Sequence, residues 1–388
     1  MNTKEFEEIG HTGGTVTFHV VTGSDGSRGY QVGFHHARPV AASLFAVYAL
    51  PQGIVVAPLP MGGIGDKWPP PPVPGCFPVF IASDSEGMFG HKCPECAGYW
   101  RARFSSSICP YCGLHGDVRD FLTDAQRRYV WQYCEALESA LTSEQDGDHV
   151  IDMDAVADAA GKDAEKPPFY YSEERQQHHF KCSACDQATD ILGRYGYCSV
   201  CGTRNDLAEF EKDIARLRDR INADGASYES ACKDAVAAFD SFAGHYAKQL
   251  IRLVPMTPAR VNRIETMRFH NVEVVHQEFR GTFDIDILAG FSAADASFAK
   301  LMFHRRHVYE HNGGEADAKY IADSGDTSVR EKQMLRETRE SAHRIAGLVQ
   351  KMATNLHRGF HEILPPLPGP IERHARHMEM IAQSRRQP

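Results

Sequence analysis

The sequence predicts a multidomain protein: an N-terminal all-β domain, two small cysteine-knuckle modules and a C-terminal all-α four-helix bundle. Three observations predict it. Short runs of β-branched and aromatic residues, separated by Gly, Pro and Asp, fill residues 1–90. One cysteine spacing is written twice in the middle of the chain. From Tyr228 onward, apolar residues recur at helical intervals. The expected boundaries are 1–90 for the β-domain, 91–121 and 180–206 for the two modules, and 122–179 for a helix with an acidic linker. A connecting helix at 207–224, the bundle at 225–365 and a basic tail at 366–388 complete the chain.

In the β-domain, residues 15–21 alternate and are rich in Val and Thr, and runs at 30–36, 43–50, 53–59 and 77–82 follow. Turn residues between them fit a small sandwich or barrel. Trp68-Pro69-Pro70-Pro71-Pro72-Val73-Pro74 must be extended and lie at the surface or a sheet edge. Gly62-Gly63-Ile64-Gly65 lacks the lysine and following helix of a phosphate loop.

The doubled motif is Cys93-x2-Cys96-x12-Cys109-x2-Cys112, repeated 89 residues later as Cys182-x2-Cys185-x12-Cys198-x2-Cys201. Lys92 and Lys181 precede the arrays, and Gly113/Gly202, Asp117/Asp206 and Phe121/Phe210 follow at matching places. Four thiolates in two CxxC pairs suit a tetrahedral zinc ion, so two structural zinc ions per chain are expected, each in a zinc ribbon. Ligand exchange between the arrays, pairing Cys93 and Cys96 with Cys198 and Cys201, stays open. Disulfides fit poorly, because the spacing is metal-like and nothing points to export. A redox role lacks a thioredoxin-like setting. Cys76, Cys134 and Cys232 read as small buried hydrophobes.

The first 10 residues are acidic and polar, unlike a signal peptide. No apolar run approaches the ~20 residues that cross a bilayer. The expected location is cytoplasmic, without membrane partners. The net charge of -9 is unevenly spread: 20 Lys/Arg against 31 Asp/Glu in 1–224, and 22 against 20 in 225–388. A nucleic-acid surface fits the C-terminal part better. In the ribbons, Tyr99, Trp100, Arg101 and Arg103, with Arg194, Tyr195 and Tyr197, offer aromatic and basic groups for stacking and phosphate contact. The plainer reading is that these aromatics pack on the knuckles.

A helix is expected over 124–141, carrying Tyr129, Val130, Tyr133, Leu137 and Leu141 at helical spacing. Residues 144–165 read as an acidic, partly ordered linker with a helical stretch at 154–160. Asp206 reads as the N-cap of a helix striped by Leu207, Phe210, Ile214, Leu217 and Ile221. The bundle helices are expected at 228–253, 271–288, 292–311 and 329–363; the β-branched and aromatic residues of the second also allow extended structure, and the third is opened by Ser292-x-x-Asp295 and closed by Gly313-Gly314. Residues 371–388 read as frayed.

At about 100° per residue, that third helix sets Phe298, Leu301, Met302, Val308 and Tyr309 on one side. His304, His307 and His311 fall opposite them, Arg306 lies on the flank, and Arg305 points into the apolar stripe. Imidazoles that titrate near neutrality and a fixed guanidinium can cleave RNA without a metal. The ribose 2′-OH attacks, His moves protons, and Arg stabilises charge on the phosphate, leaving a 2′,3′-cyclic phosphate. A zinc site at His304, His307 and His311 is the rival, but no acidic fourth ligand shares the face.

Arg306-His307-x3-His311, followed by Asn312-Gly313-Gly314 and a long helix, resembles the Arg-polar-x3-His signature of the HEPN superfamily. The resemblance covers about residues 225–365. It implies a four-helix HEPN-like bundle and a metal-independent endoribonuclease of toxin, stress or antiphage type. It also implies a homodimer whose two motifs share one cleft, an RNA substrate, and an antitoxin or activator protein as partner. Carried over, Arg306 stabilises the phosphate, His311 handles protons and His307 supports them. Arg305-x5-His311 also satisfies the looser motif, so the register is open. The alternative function is a non-catalytic dimeric adaptor that binds nucleic acid or protein through the ribbons.

Overall fold

The computed structural model describes residues 14–35, 44–59, 69–83, 87–102, 106–143, 145–152, 155 and 177–384. The expected helix at 154–160, Gly62 to Gly65, Trp68 and Arg103 lie outside the described residues, apart from Ala155. Two compact units form: Met1–Thr203 with Leu367–Pro388, and Arg204–Pro366. Among the described residues, no helix is long and apolar enough to cross a membrane.

The first unit holds three sheets. Strands β1 (Thr15–Thr22), β2 (Arg28–His35) and β8 (Gly147–Asp152) form one in the order β2-β1-β8. Strands β3 (Leu44–Ala49), β4 (Val55–Leu59) and β5 (Phe77–Ala82) form another, ordered β4-β3-β5. Alternation along β1 turns Val16, Phe18 and Val20 inward. They share a core with Val47 and Ala49 of β3, Val79 and Ile81 of β5, and helix α1 (Asp124–Thr142). Helix α1 contributes Tyr129, Val130, Tyr133, Cys134 and Leu137, and Thr123 with Gln126 makes its capping box. The β4-side turn passes so close to α1 that a Cβ on Gly53, at φ 78°, would lie 2.6 Å from Trp131 Cα.

Strand β8 corrects the linker reading. It pairs antiparallel with β1, from Thr15↔Asp152 to Val20↔Gly147. The acids in and just before it, which read as part of an acidic, partly ordered linker, serve the sheet. Asp148 lies 2.5 Å from His19 Nδ1, and Asp146 accepts from Thr22 N and Oγ1. Only Ile151 of this strand is buried, so no apolar alternation marks it. The proline run is exposed, and Tyr48 Oη donates to the Pro69 carbonyl.

The two cysteine modules share the third sheet. Strands β6 (Phe89–Lys92) and β7 (Tyr99–Ala102) come from the first module, and β9 (Gln177–Lys181) and β10 (Ala188–Leu192) from the second. They are ordered β6-β7-β10-β9.

The second unit is all helical: α2 (Asp206–Asn222), α3 (Tyr228–Leu253), α4 (Pro258–Glu265), α5 (Val272–Phe283), α6 (Ala293–His311), α7 (Ala318–Ser324) and α8 (Arg339–Ile363). Helices α3 and α8 pack along each other, flanked by α2 and α6. Phe210, Phe239, Phe242, Tyr246, Met302, Val349, Leu356 and Phe360 form the buried layer. The helix expected as a connector is thus part of this unit. Its N-cap is Asn205, not Asp206, whose carboxylate instead pairs with Arg204 in a buried contact. Helix α8 begins at Arg339 rather than near residue 329. The preceding segment folds back on the Gly314 turn: Leu335 N donates to Gly314 O, and Ala316 N to Gln333 O. The tail expected to fray is helix α9 (Pro368–Ser384).

Candidate functional site

The cysteines form two quartets, each within one module: Cys93, Cys96, Cys109 and Cys112, then Cys182, Cys185, Cys198 and Cys201. Exchange of knuckles between the arrays does not occur. Within each quartet the sulfurs lie within 4.8 Å of one another. The Cys93–Cys112 and Cys96–Cys109 separations are both 3.6 Å, and Cys182–Cys201 and Cys185–Cys198 are 3.6 and 3.5 Å. Zinc–sulfur bonds of ~2.3 Å in a tetrahedron need sulfurs about 3.8 Å apart, so each quartet can hold one metal ion.

The knuckle backbone explains the fit. In each, the residue after the second cysteine closes a turn onto the first, as in Gly113 N to Cys109 O and Gly202 N to Cys198 O. All four such residues are left-handed: Ala97 (φ 56°), Gly113 (φ 73°), Asp186 (φ 63°) and Gly202 (φ 81°). Burial pushes the Cys109 thiol up. A divalent cation is what would let four such sulfurs ionise side by side.

Three of the aromatic and basic residues of the ribbons, Trp100, Arg101 and Tyr197, are used inside. Trp100 is 1% exposed, Tyr197 4%, and Arg101 makes an ion pair with Asp190 at 2.8 Å in which both side chains are buried. Arg194 lies over the Tyr195 ring. The plainer reading of these side chains, as packing groups, fits Trp100, Arg101 and Tyr197. Cys76, Cys134 and Cys232 are buried, and burial pushes Cys134 up to about 12.

In the second unit, helix α6 separates its two arginines. Arg305 enters the interior, donating to Glu337 at 2.9 Å, Asp326 at 2.8 Å and Tyr320 Oη at 3.2 Å. Tyr309 and Tyr320 donate to the same two carboxylates. Arg305 is committed to this network. Arg306 turns to the other flank, where its Nη2 lies 4.0 Å from Asp240 of α3 and its Nε has no hydrogen-bond partner among the described residues.

His307 and His304 line a cleft of about 310 Å³ with His270, Arg268, Lys300 and Lys319. Asp317 and Asp323 also line it, but Asp317 is occupied capping α7 through Tyr320 N and accepting from Asn312. Lys300 reaches Glu273 at 2.9 Å. Burial lowers the pKa of His304, His307 and His270; Lys300 adds to this at His304, and His311 and Lys319 add to it at His307. All three are therefore neutral at pH 7 and can accept protons. Burial pushes the Asp240 carboxyl up, opposed by Arg306 and His270.

His311 stands exposed at the end of α6, its ring 4.6 Å from that of His307. The helix stops there because Gly313 and Gly314 turn left-handed and Gly314 N donates back to Val308 O. The fold thus brings His307 beside His311 and leaves Arg306 off the cleft lining, facing Asp240. Among the described residues, the cysteine quartets are the groups able to hold a metal, and His304, His307 and His311 do not form one. Sequence reasoning missed His270, Arg268, Lys300, Lys319 and Asp240. No periodicity marks His270, which reaches the cleft from the turn before α5.

No family model, curated protein or solved structure matches this chain.

Proposed function

We propose that the chain is a metal-independent endoribonuclease of HEPN type, with Arg306, His307 and His311 as its reacting groups. Its two structural metals are zinc. The observation that carries the reading is the cleft beside α6, where neutral imidazoles lie among Arg268, Lys300 and Lys319. Cations of that kind draw a phosphodiester in, and neutral imidazoles take the proton of an attacking 2′-OH. Arg306 is the arginine available for the phosphate, because Arg305 is spent on Asp326 and Glu337. A second copy of the chain would supply the other half of a composite site, which suits an exposed His311 at a helix end. A protein partner, antitoxin or activator, would hold such an enzyme in check in the cytoplasm, in a stress or antiphage role.

One observation favours the second reading, a non-catalytic dimeric adaptor: Arg306 faces Asp240 and does not line the cleft. One assay separates the two. The protein is given mixed RNA in Mg2+-free buffer, with EDTA added just before substrate so that the thiolate sites keep their metal. Cleavage leaving cyclic phosphate is expected, lost by about 100-fold or more in Arg306→Ala and His311→Ala and reduced less in His307→Ala. Wild-type inactivity on every RNA class points to the adaptor. Full activity in both variants discards the site.

A further inference from the structure

The two cysteine modules are repeats offset by 89 residues, and Arg101 and Asp190 stand at the same repeat position, 89 apart. They also face each other. Strand β7 pairs antiparallel with β10 in the register Asp190↔Arg101 and Thr189↔Ala102. When a repeat residue pairs antiparallel with its own counterpart, a local two-fold axis runs between them. The rest of the contact obeys that axis. Ile108 N donates to Ser199 O at 3.0 Å, and the counterpart of Ile108, Tyr197, donates to Pro110 O at 2.9 Å. Pro110 is in turn the counterpart of Ser199. The Gly113 Cα faces the Tyr197 ring, and Gly202 faces Ile108 Cδ1, again as a matched pair. On the axis, Arg101 Nε and Nη2 both donate to Asp190 Oδ2, at 3.0 and 2.8 Å, with both side chains buried.

The modules also share a core. Phe180 and Ile191 of the second module pack among Cys93, Trp100, Cys109, Cys112 and Phe121 of the first. Tyr111 of the first accepts from Leu192 N of the second while donating to Tyr99 O. Alone, each module would be a hairpin with an unpaired edge, β7 or β10, and too small a core to fold without help. Metal binding supplies folding free energy to such modules. Here, folding either module completes the sheet and core of the other.

We propose that the twin quartets load metal as one cooperative unit, coupled through the shared sheet and the buried Arg101–Asp190 pair on its two-fold axis. The first ion orders β7 and β10 against each other. The second quartet then meets its ion with its strands already in place, so its affinity is higher than the first. Arg101 and Asp190 are positioning residues. They touch no metal, and removing either one takes the buried Arg101–Asp190 ion pair out of the shared sheet.

The test uses the full chain, stripped of metal under reducing conditions and given one equivalent of Zn2+, or of Cd2+ in parallel. Native mass spectrometry counts the ions per chain. Cooperative loading leaves chains with no ion or two, and few with one. Independent sites would leave half the chains with one ion, and that outcome overturns the proposal. In the Cys93→Ser/Cys96→Ser chain, the affinity of the remaining quartet for Cd2+ is expected to fall roughly 10–100-fold; an unchanged affinity overturns it as well. Arg101→Ala alone and Asp190→Ala alone should raise the singly loaded share. Exchanging the charges, Arg101→Asp with Asp190→Arg, should restore the wild-type distribution, because the axis makes the two positions equivalent. Failure of that exchange, where each module still binds metal, removes the ion pair from the coupling.

Discussion

Arg305 keeps 12% of its side chain exposed and is held between Asp326 and Glu337, which are nearly fully buried. Truncating it strands two carboxylates in the interior. Arg305→Ala is expected to cost about 3–5 kcal/mol of stability, whereas Arg306→Ala should cost less than about 1 kcal/mol, its partner Asp240 being 4.0 Å away. Urea unfolding of both variants checks this and shows which arginine is free for other work. The helical wheel already turned Arg305 inward. Its acidic partners were not legible: Asp326 lies between the expected helices, Glu337 lies inside the span expected as the last helix, and no spacing links either to Arg305. His91 makes a second residue-scale case. It is fully buried, stacks 5.3 Å from Trp100, and among the described residues neither ring nitrogen has a partner. Burial pulls its pKa down to about 3, so it is carried as a neutral ring. Its counterpart 89 residues on is Phe180. His91→Phe is therefore expected to stabilise the metal-loaded protein by about 1–2 kcal/mol, read as a rise in denaturation midpoint.

At the scale of elements, helix α9 has a task that its composition hides. Leu367 N donates to the carbonyl of Cys201 at 2.8 Å, and Ile371 packs on the second quartet. Ending the chain at residue 366 should speed metal loss from that quartet to a chelator by roughly 10-fold or more, with a smaller effect on the first. Stopped-flow release to a coloured chelator reads both phases. The basic, His-rich composition of α9 resembles a loose tail because none of its residues is buried and its anchor is one apolar side chain. Strand β8 was masked for a related reason: one buried residue among acids leaves no alternation. The long helices α1, α3 and α6 were legible, since apolar residues recur along them at helical intervals, and Ser292 caps α6 as the Ser292-x-x-Asp295 pattern predicts.

For the molecule as a whole, the cleft imidazoles couple the stability of the helical unit to pH. His270, His304 and His307 have native pKa values below the ordinary 6.5. The unfolded chain then binds more protons than the native one once the pH drops below 6.5. Their contribution is present above that value and is lost as the pH falls through the lowered native values. Asp240, pushed up by burial, acts in the opposite sense near its own, lower range. The urea midpoint of this unit should therefore decline between about pH 7 and pH 5. In the His270→Gln/His304→Gln/His307→Gln chain the decline should flatten, and an equally steep profile would show that other groups carry it.

The CxxC pairs, the apolar faces of the long helices and the inward turn of Arg305 were determined by the sequence alone. Each depends on residues a few positions apart, and local geometry converts such spacing directly into a ligand set or a helix face. Tertiary structure alone decided the rest. It chose which quartet each cysteine joins, joined the ribbons across one sheet, set β8 beside β1, and brought His270 and Lys319 into the cleft with His307. Those outcomes depend on pairings between distant segments, where burial and long-range hydrogen bonds select one arrangement among several that the same local pattern allows.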